Sequence, residues 1–357
     1  MITGDLDRAL ATAIGSAGTW RPAPPGTACE VRTYVTTIAF WLARGHAGGR
    51  GAGGPAAIAA GLAERLSGLD WVEAAAVTGG GYLAVTVTPD ALAGLAVRIT
   101  EAGPACARSR ALAGTSQAAP AAADLAHAPA WEEARQRVHA AVTGRLAEAA
   151  GAHVRWEHDT ERIAAPHPPA PVAASPVAEA VAYAGADAIT YALARLLPTG
   201  QARVDASLAA GHHLGNPAYA VQYAHAHAAS ALRQAADLGL GRGEAAGFQP
   251  HLLAHPSEQV LLNRLSWLPE RVAGAARRAR PDVLTHFLEG LARAYLHGQE
   301  TCPAVRPGMV VPDGPGRSSA ERAAVQAAAA RLWLAAAART ALGAGLGLLG
   351  VGAPDRL

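Results

Sequence analysis

From residue 177 to its end the chain reads as one helix after another, and that run limits the fold more than any other feature. Apolar positions recur at three- and four-residue spacing over 177–196, 217–238, 255–280, 281–298 and 319–346. Pro217, Pro256 and Pro281 stand at helix openings, where a missing N–H costs nothing. Gly239 and Gly298 follow the expected closings. Alanine, the strongest helix former, fills roughly a quarter of the chain. Aromatic residues make up only 5%, so these helices must pack through Leu, Val and Ala. The reading is a helical bundle over 177–357.

The first hundred residues read differently. Segments 31–45 and 56–67 have helical spacing, with a glycine-rich loop between them. Segments 70–77 and 82–88 flank Thr78-Gly79-Gly80-Gly81, and the second alternates Leu83, Val85 and Val87 with Ala84 and Thr86, the period of a strand. Pro89-Asp90 leads into a helix over 90–102 with Asp90 near its start. A small α+β domain over 1–103 results. Stretches 104–129 and 163–176 are Ala/Pro-rich and lack amphipathic period, so 104–176 reads as a linker carrying one helix, 130–152, whose acids Glu132 and Glu133 come early. The fold class is therefore mainly α: a small α+β domain, a linker with one helix, and a C-terminal helical bundle.

Composition closes off several chemistries. All 30 basic residues are arginine, which removes a Schiff-base or P-loop lysine. The net charge of +2 is too small to draw nucleic acid by bulk electrostatics. Cys29, Cys106 and Cys302 are odd in number and form no CxxC pair, which points to a reduced, cytoplasmic setting without structural zinc. His212, His213, His225 and His227 do not converge on one helical face, so no metal site is expected, and no cofactor. The N-terminus is acidic and has no signal-like apolar run. The apolar stretch 323–352 is broken by Arg331 and Arg339, so it reads as a core helix, with no membrane partner. Arg271, Arg277, Arg278 and Arg280 offer an RNA-backbone patch or, as the more ordinary reading, a solvated helix face.

The most specific segment is Asn216-Pro217-Ala218-Tyr219-Ala220-Val221-Gln222-Tyr223-Ala224-His225-Ala226-His227. It resembles the opening of the DALR anticodon-binding domain of arginyl-tRNA synthetases, which reads Asn-Pro-x-Tyr-Tyr-Val-Gln-Tyr-Ala-His-Ala-Arg. Val177 to Val181 with Tyr191 is similar to the preceding helix of that family. Glu258, Leu261, Leu265, Pro269 and Glu270 match the next helix, and Pro281, Leu284, Leu288, Leu291 and Ala292 the one after. The close, from Arg331-Leu332 to Leu348-Leu349-Gly350-Val351-Gly352-Ala353-Pro354-Asp355-Arg356-Leu357, resembles the family's terminal helix and its final Leu-Gly-Val-x-Ala-Pro-Glu-Arg-Met. Val77 to Val85 is similar to the family's N-terminal tRNA-contacting landmark Val-Ala-Gly-Pro-Gly-Phe-Ile-Asn-Phe. Tyr82 keeps an aromatic there, and Ala84 replaces the amide.

The resemblance implies a tRNA partner, most naturally an arginine acceptor, and no DNA. The family's catalytic marks are a His-x-Gly-His motif and a Lys-Met-Ser-Lys-type loop. No His-x-Gly-His spacing occurs here, and a lysine-free chain has no close copy of the loop. A doubly wound sheet needs on the order of 150 residues, against the 73 between 104 and 176. The expectation is a tRNA-binding relative of arginine–tRNA ligase without its ATP-dependent catalytic domain, hence no catalytic residue. Its protein partner would be a full-length synthetase or an enzyme that uses aminoacyl-tRNA. Two alternatives stand beside it: an interaction scaffold that has lost RNA binding, and a non-catalytic subunit assisting arginyl-tRNA aminoacylation. Candidate RNA-binding residues are Asn216, Tyr219, Gln222, Tyr223, His227, Arg331, Leu357 and Tyr82. Tyr219, Gln222 and Tyr223 share a helix face, which suits stacking on an unpaired base and bonding to its edge. His227 stands at the family's arginine position and lacks its permanent charge.

Overall fold

The computed structural model describes residues 2–15, 22, 30–45, 54–157, 175–305 and 318–357. Cys29, the glycine-rich loop over 46–53 and most of the stretch 163–176 lie outside the described residues.

The chain opens with helix α1 (Ile2–Ile14), which no sequence pattern announced. A three-stranded antiparallel sheet follows in the order β1-β3-β2, from β1 (Thr33–Thr36), β2 (Val72–Thr78) and β3 (Tyr82–Val87). Helical spacing over 31–45 was misleading at its start. Thr33, Val35 and Thr36 are β-branched, and the strand they form pairs with β3 before helix α2 (Ile38–Ala43) begins. Leu83, Val85 and Val87 point inward and are fully buried, as their alternation requires. Helix α3 (Pro55–Ser67) covers the sheet. The hairpin tip at Gly79-Gly80-Gly81 needs glycine: all three have positive φ, and a Cβ on Gly81 would sit 2.7 Å from Pro55 Cβ.

The helix expected over 90–102 is two pieces, α4 (Pro89–Ala93) and α5 (Leu95–Ala102), divided at Gly94. Its cap is Thr88, whose hydroxyl accepts the Ala91 N–H at 3.2 Å, rather than Asp90. The next segment is more structured than a linker. Strand β4 (Ser116–Pro120), helix α6 (Trp131–Ala149) and strand β5 (His153–Glu157) form a parallel pair with a helical crossover. Small residues allow the helix close to the strands. A Cβ on Gly144 would come 2.9 Å from Trp156 Cζ3 and closer still to Ala119 Cβ, which cannot yield. Gly144→Val is therefore expected to cost about 2 kcal/mol, read as a lowered thermal midpoint. A gain in stability, as expected for valine at an open helix site, would contradict this packing.

The remainder is helical: α7 (Pro176–Ala184), α8 (Ala186–Arg195), the short α9 (Ala206–Ala209), α10 (Pro217–Asp237), α11 (Pro256–Ser266), α12 (Leu268–Arg277), α13 (Pro281–Thr301) and α14 (Ser319–Leu349). Two single-helix readings are pairs in fact, broken at Gly185 and at Trp267. Gly298 does not end its helix; it is buried inside α13, which continues to Thr301. Pro217, Pro256 and Pro281 do open α10, α11 and α13.

Helix α14 is long and apolar enough to span a membrane by length and composition, yet 67% of its most apolar window is buried inside the protein. It forms the spine of the core through Ala335, Ala337, Ala338, Ala341, Leu342 and Leu346. A Cβ on Gly345 would fall 2.9 Å from Leu288 Cδ1, so α13 and α14 approach closely there.

One continuous apolar core runs from Ile2 through the bundle to Val351. The sheet is tied to the bundle by Tyr34, which is fully buried. Its hydroxyl donates to Ser266 Oγ at 2.7 Å, and its ring lies 5.4 Å from Trp267 at the α11–α12 break. Desolvation holds that phenol well above the ordinary tyrosine range, so it stays a donor.

Candidate nucleic-acid interface

Asn216 fixes the start of α10. Its Oδ1 accepts the Ala218 N–H at 3.1 Å, and its Nδ2 donates to the carbonyls of Ala209 and Gly211, both at 2.8 Å. With its amide engaged on both sides and 7% exposure, it sets the geometry of the helix opening at the wall of the depression described below.

Four residues apart along α10, Tyr219, Tyr223 and His227 form a ladder of half-buried rings. Tyr219 and Tyr223 stack at 6.0 Å and 23°, and Tyr223 and His227 follow at 6.0 Å. Two rings from elsewhere extend it. His212 stacks on Tyr219 at 5.5 Å and 13°, and Tyr295 of α13 meets His227 edge-on at 5.8 Å. His212 and Tyr295 were not among the sequence candidates, and nothing in local spacing could have found them. Burial lowers the His227 pKa, so this residue is neutral near pH 7, and its Nδ1 lies 3.2 Å from the Tyr295 hydroxyl. The arginine-like role at 227 is thus absent in charge as well as in shape.

The chain's last residues are strapped across the same helix. Helix α14 ends on Gly350 in the left-handed region, with the Val351 N–H bonded to the Leu346 carbonyl at 3.0 Å. Arg145 of α6 donates to the Leu348 and Leu349 carbonyls at 2.9 and 3.2 Å, capping the helix with a cation. Beyond it, the Gly352 N–H donates to Asp187 at 2.8 Å, and Gln222 Nε2 donates to the Gly352 carbonyl at 3.0 Å. His225 bonds the Pro354 carbonyl at 3.0 Å, Arg233 the Asp355 carbonyl at 3.1 Å, and Arg339 grips both Asp355 carboxylate oxygens at 2.8 and 2.9 Å. Arg339 holds the Asp355 carboxyl below the usual carboxylate range.

Together these elements frame a depression of about 360 Å³ whose lining includes His212, Tyr219, Gln222, Asp187 and Leu357. Leu357 is 61% exposed at its rim. Two candidates lie elsewhere. Arg331 is drawn into the protein, its Nε 2.8 Å from Glu258 Oε1, with side-chain exposures of only 17% and 2%. Tyr82 sits at the hairpin tip and packs edge-on against Phe40 at 5.0 Å. Of the arginines on α12 and beside it, Arg271 lies over Trp267 at 5.6 Å, Arg277 pairs with Glu270 at 2.5 Å, and Arg280 with Asp282 at 2.7 Å. Two of the four arginines, Arg277 and Arg280, are thus neutralised by acids, which thins the expected patch to Arg271 and Arg278. Among the described residues, no group of three or more His, Cys, Asp or Glu is placed to hold a metal ion.

His225 is buried between the strap and α14, with Asp355 and Arg339 nearby, and burial is the main reason its pKa is lowered. His139, bonded to the Leu193 carbonyl, and His227 are lowered for the same reason. The unfolded chain then binds more protons than the folded one just below the ordinary histidine value of 6.5. Stability is expected to be complete above that pH and to fall as acid is added, before carboxylates titrate. His225→Asn keeps a donor for Pro354 and should flatten the midpoint-versus-pH curve between about 6.5 and 5; an unchanged slope in this variant would refute the assignment.

Residues 221–357 match the family model described as the DALR anticodon binding domain. This part of the chain is similar to DALR anticodon-binding domains. Curated arginine–tRNA ligases align with about half of the chain. The ligase of Micrococcus luteus is 38% identical over 50% of this chain and 30% of its own length. That of Paenarthrobacter aurescens is 35% identical over the same shares, and that of Chloroflexus aggregans 41% identical over 40% of this chain and 22% of its own. The chain thus spans about a third or less of the relatives it matches. The solved Thermus thermophilus arginyl-tRNA synthetase is 19% identical with a TM-score of 0.37, covering 99% of this chain and 58% of that one.

Proposed function

We propose that the chain binds the anticodon arm of a tRNA, an arginine acceptor first among them, and performs no ATP-dependent chemistry of its own. The observation that carries this is the ring ladder on α10. Rings that are already stacked and half exposed give an unpaired base a platform with little ordering cost. Gln222 and the strapped C-terminus, ending in exposed Leu357, form the wall beside it. In this reading 177–357 is the anticodon-binding unit, and 1–103 adds a weaker tRNA contact through the hairpin of Tyr82.

The middle of the chain supports the non-catalytic part. Its parallel pairing among the described residues is the two strands β4 and β5. Their crossover helix α6 opens with Glu132 and Glu133, which place negative charge where a phosphate would otherwise be attracted. The chain supplies no lysine for phosphate binding.

The test is electrophoretic mobility of labelled tRNAs. A shift at low micromolar protein, strongest with arginine acceptors, is expected; indifference to every tRNA up to tens of micromolar contradicts the reading. Arginine-dependent ATP–pyrophosphate exchange by the isolated chain is expected to be absent. An interaction-scaffold reading draws on Tyr183, Leu208 and Leu214, which are 69%, 65% and 58% exposed. A stoichiometric co-purifying protein without RNA absorbance would favour it.

A further inference from the structure

A second cavity has no part in the anticodon site. It lies between the N-terminal unit and the bundle, has a volume of about 620 Å³, and is lined by Arg8 of α1, Arg98 of α5, Arg108 and Arg110 of the following turn, and Arg277 of α12. Its acids are Asp7 and Glu270, and Asp5 stands behind it. Arg277 is neutralised by Glu270, while Arg8 and Arg98 share Asp5. Five guanidinium groups against three carboxylates leave an excess of two positive charges.

That excess is concentrated in one turn. Arg108 and Arg110 are exposed and have no acidic partner among the described residues. Between them, the Ser109 hydroxyl is buried at the cavity wall and has no hydrogen-bond partner among the described residues. The turn is rigid: the Ser109 and Leu112 N–H groups donate to the Ala149 and Ala150 carbonyls at the end of α6, both at 2.9 Å. A Cβ on Gly151 would fall 3.0 Å from the Ser109 carbonyl, so the turn and the helix end are in close contact.

We infer that this cleft binds the phosphodiester backbone of RNA, with the exposed Arg108 and Arg110 forking onto phosphate oxygens. Arginine matches phosphate in a bidentate geometry that suits this role. Among the described residues no aromatic side chain lines the cavity, so it offers a base no platform there and reads charge, not sequence. Its span across two structural units fits an extended strand better than a single ion. The inference goes beyond the anticodon-arm reading and does not require it.

Fluorescence anisotropy on the full chain tests it with a labelled tRNA and a labelled twelve-nucleotide oligouridine that has no anticodon arm, beside thermal-shift protection by inorganic phosphate. In Arg108→Ala/Arg110→Ala, affinity for both RNAs is expected to fall about tenfold, and the slope of log affinity against log salt for oligouridine by about 1.4. Both side chains are exposed, so the thermal midpoint should not move; R108K/R110K should keep most of the salt slope. Oligouridine affinity and slope unchanged in the alanine variant would overturn the inference. So would sub-millimolar protection by inorganic phosphate with no oligouridine binding, which marks a small-anion site. If wild type binds oligouridine and loses it in the alanine variant but shows no preference for any tRNA, the cleft stands and the anticodon reading fails. If tRNA binding is selective yet indifferent to the alanine pair, the reverse holds.

Discussion

Removing two rungs of the ladder, in Tyr219→Ala/Tyr223→Ala, is expected to weaken tRNA binding by about 2–4 kcal/mol, roughly 30- to 1000-fold. Base–ring stacking contributes about 1–3 kcal/mol per base, and each 1.4 kcal/mol is a factor of ten. The fold should survive, because both rings are only half buried and alanine suits a helix interior. Tyr219→Phe/Tyr223→Phe keeps the stacking faces and should retain most of the affinity. If phenylalanine is as damaging as alanine, the hydroxyl groups, not the ring faces, make the contact. Titration by anisotropy, with thermal midpoints beside it, separates these outcomes.

The second large effect is on stability. Arg331→Ala removes the partner of Glu258, whose side chain is 2% exposed and whose other oxygen accepts the His255 N–H at 3.0 Å in the capping box of α11. A buried carboxylate left without its cation typically costs 3–5 kcal/mol. About 3 kcal/mol is expected here, because the capping bond remains. Arg331→Ala/Glu258→Gln should recover much of the loss, since no unpaired charge is then buried. Thermal melts decide it: equal midpoints for wild type and Arg331→Ala would show that the pair carries no weight. Tight tRNA binding by a folded Arg331→Ala variant would confirm that Arg331 is not an interface residue.

What could be read from sequence and what could not divide along physical lines. The shared face of Tyr219, Gln222 and Tyr223 follows from helical spacing alone, and so do the proline-opened helices α10, α11 and α13. Tertiary partners do not follow. His212 comes from a loop and Tyr295 from another helix, and each joins the ladder only once the bundle has packed. Arg331 became a candidate through the resemblance of its helix to the family's terminal helix, and only the fold brings Glu258 beneath it. The three hydrogen bonds that fix Asn216 to Ala209, Gly211 and Ala218 likewise appear only in the folded chain.

Secondary structure failed where residue size hid the period. Ser116–Pro120 contains no large apolar residue, so a strand in a parallel pair read as linker. Thr33–Thr36 fitted a helical spacing by coincidence, although its β-branched residues favour the sheet it joins. Helix breaks at Gly94, Gly185 and Trp267 fell inside apolar runs that were continuous enough to read as single helices. In each case the deciding term was packing against a distant element rather than local preference.

Chemical footprinting of an arginine-acceptor tRNA, with and without the full chain, reads the contact at the anticodon loop itself. Protection of the unpaired anticodon-loop nucleotides is expected, lost in Tyr219→Ala/Tyr223→Ala but retained in the phenylalanine pair. A complex that forms while the anticodon loop stays as reactive as in free tRNA would contradict it.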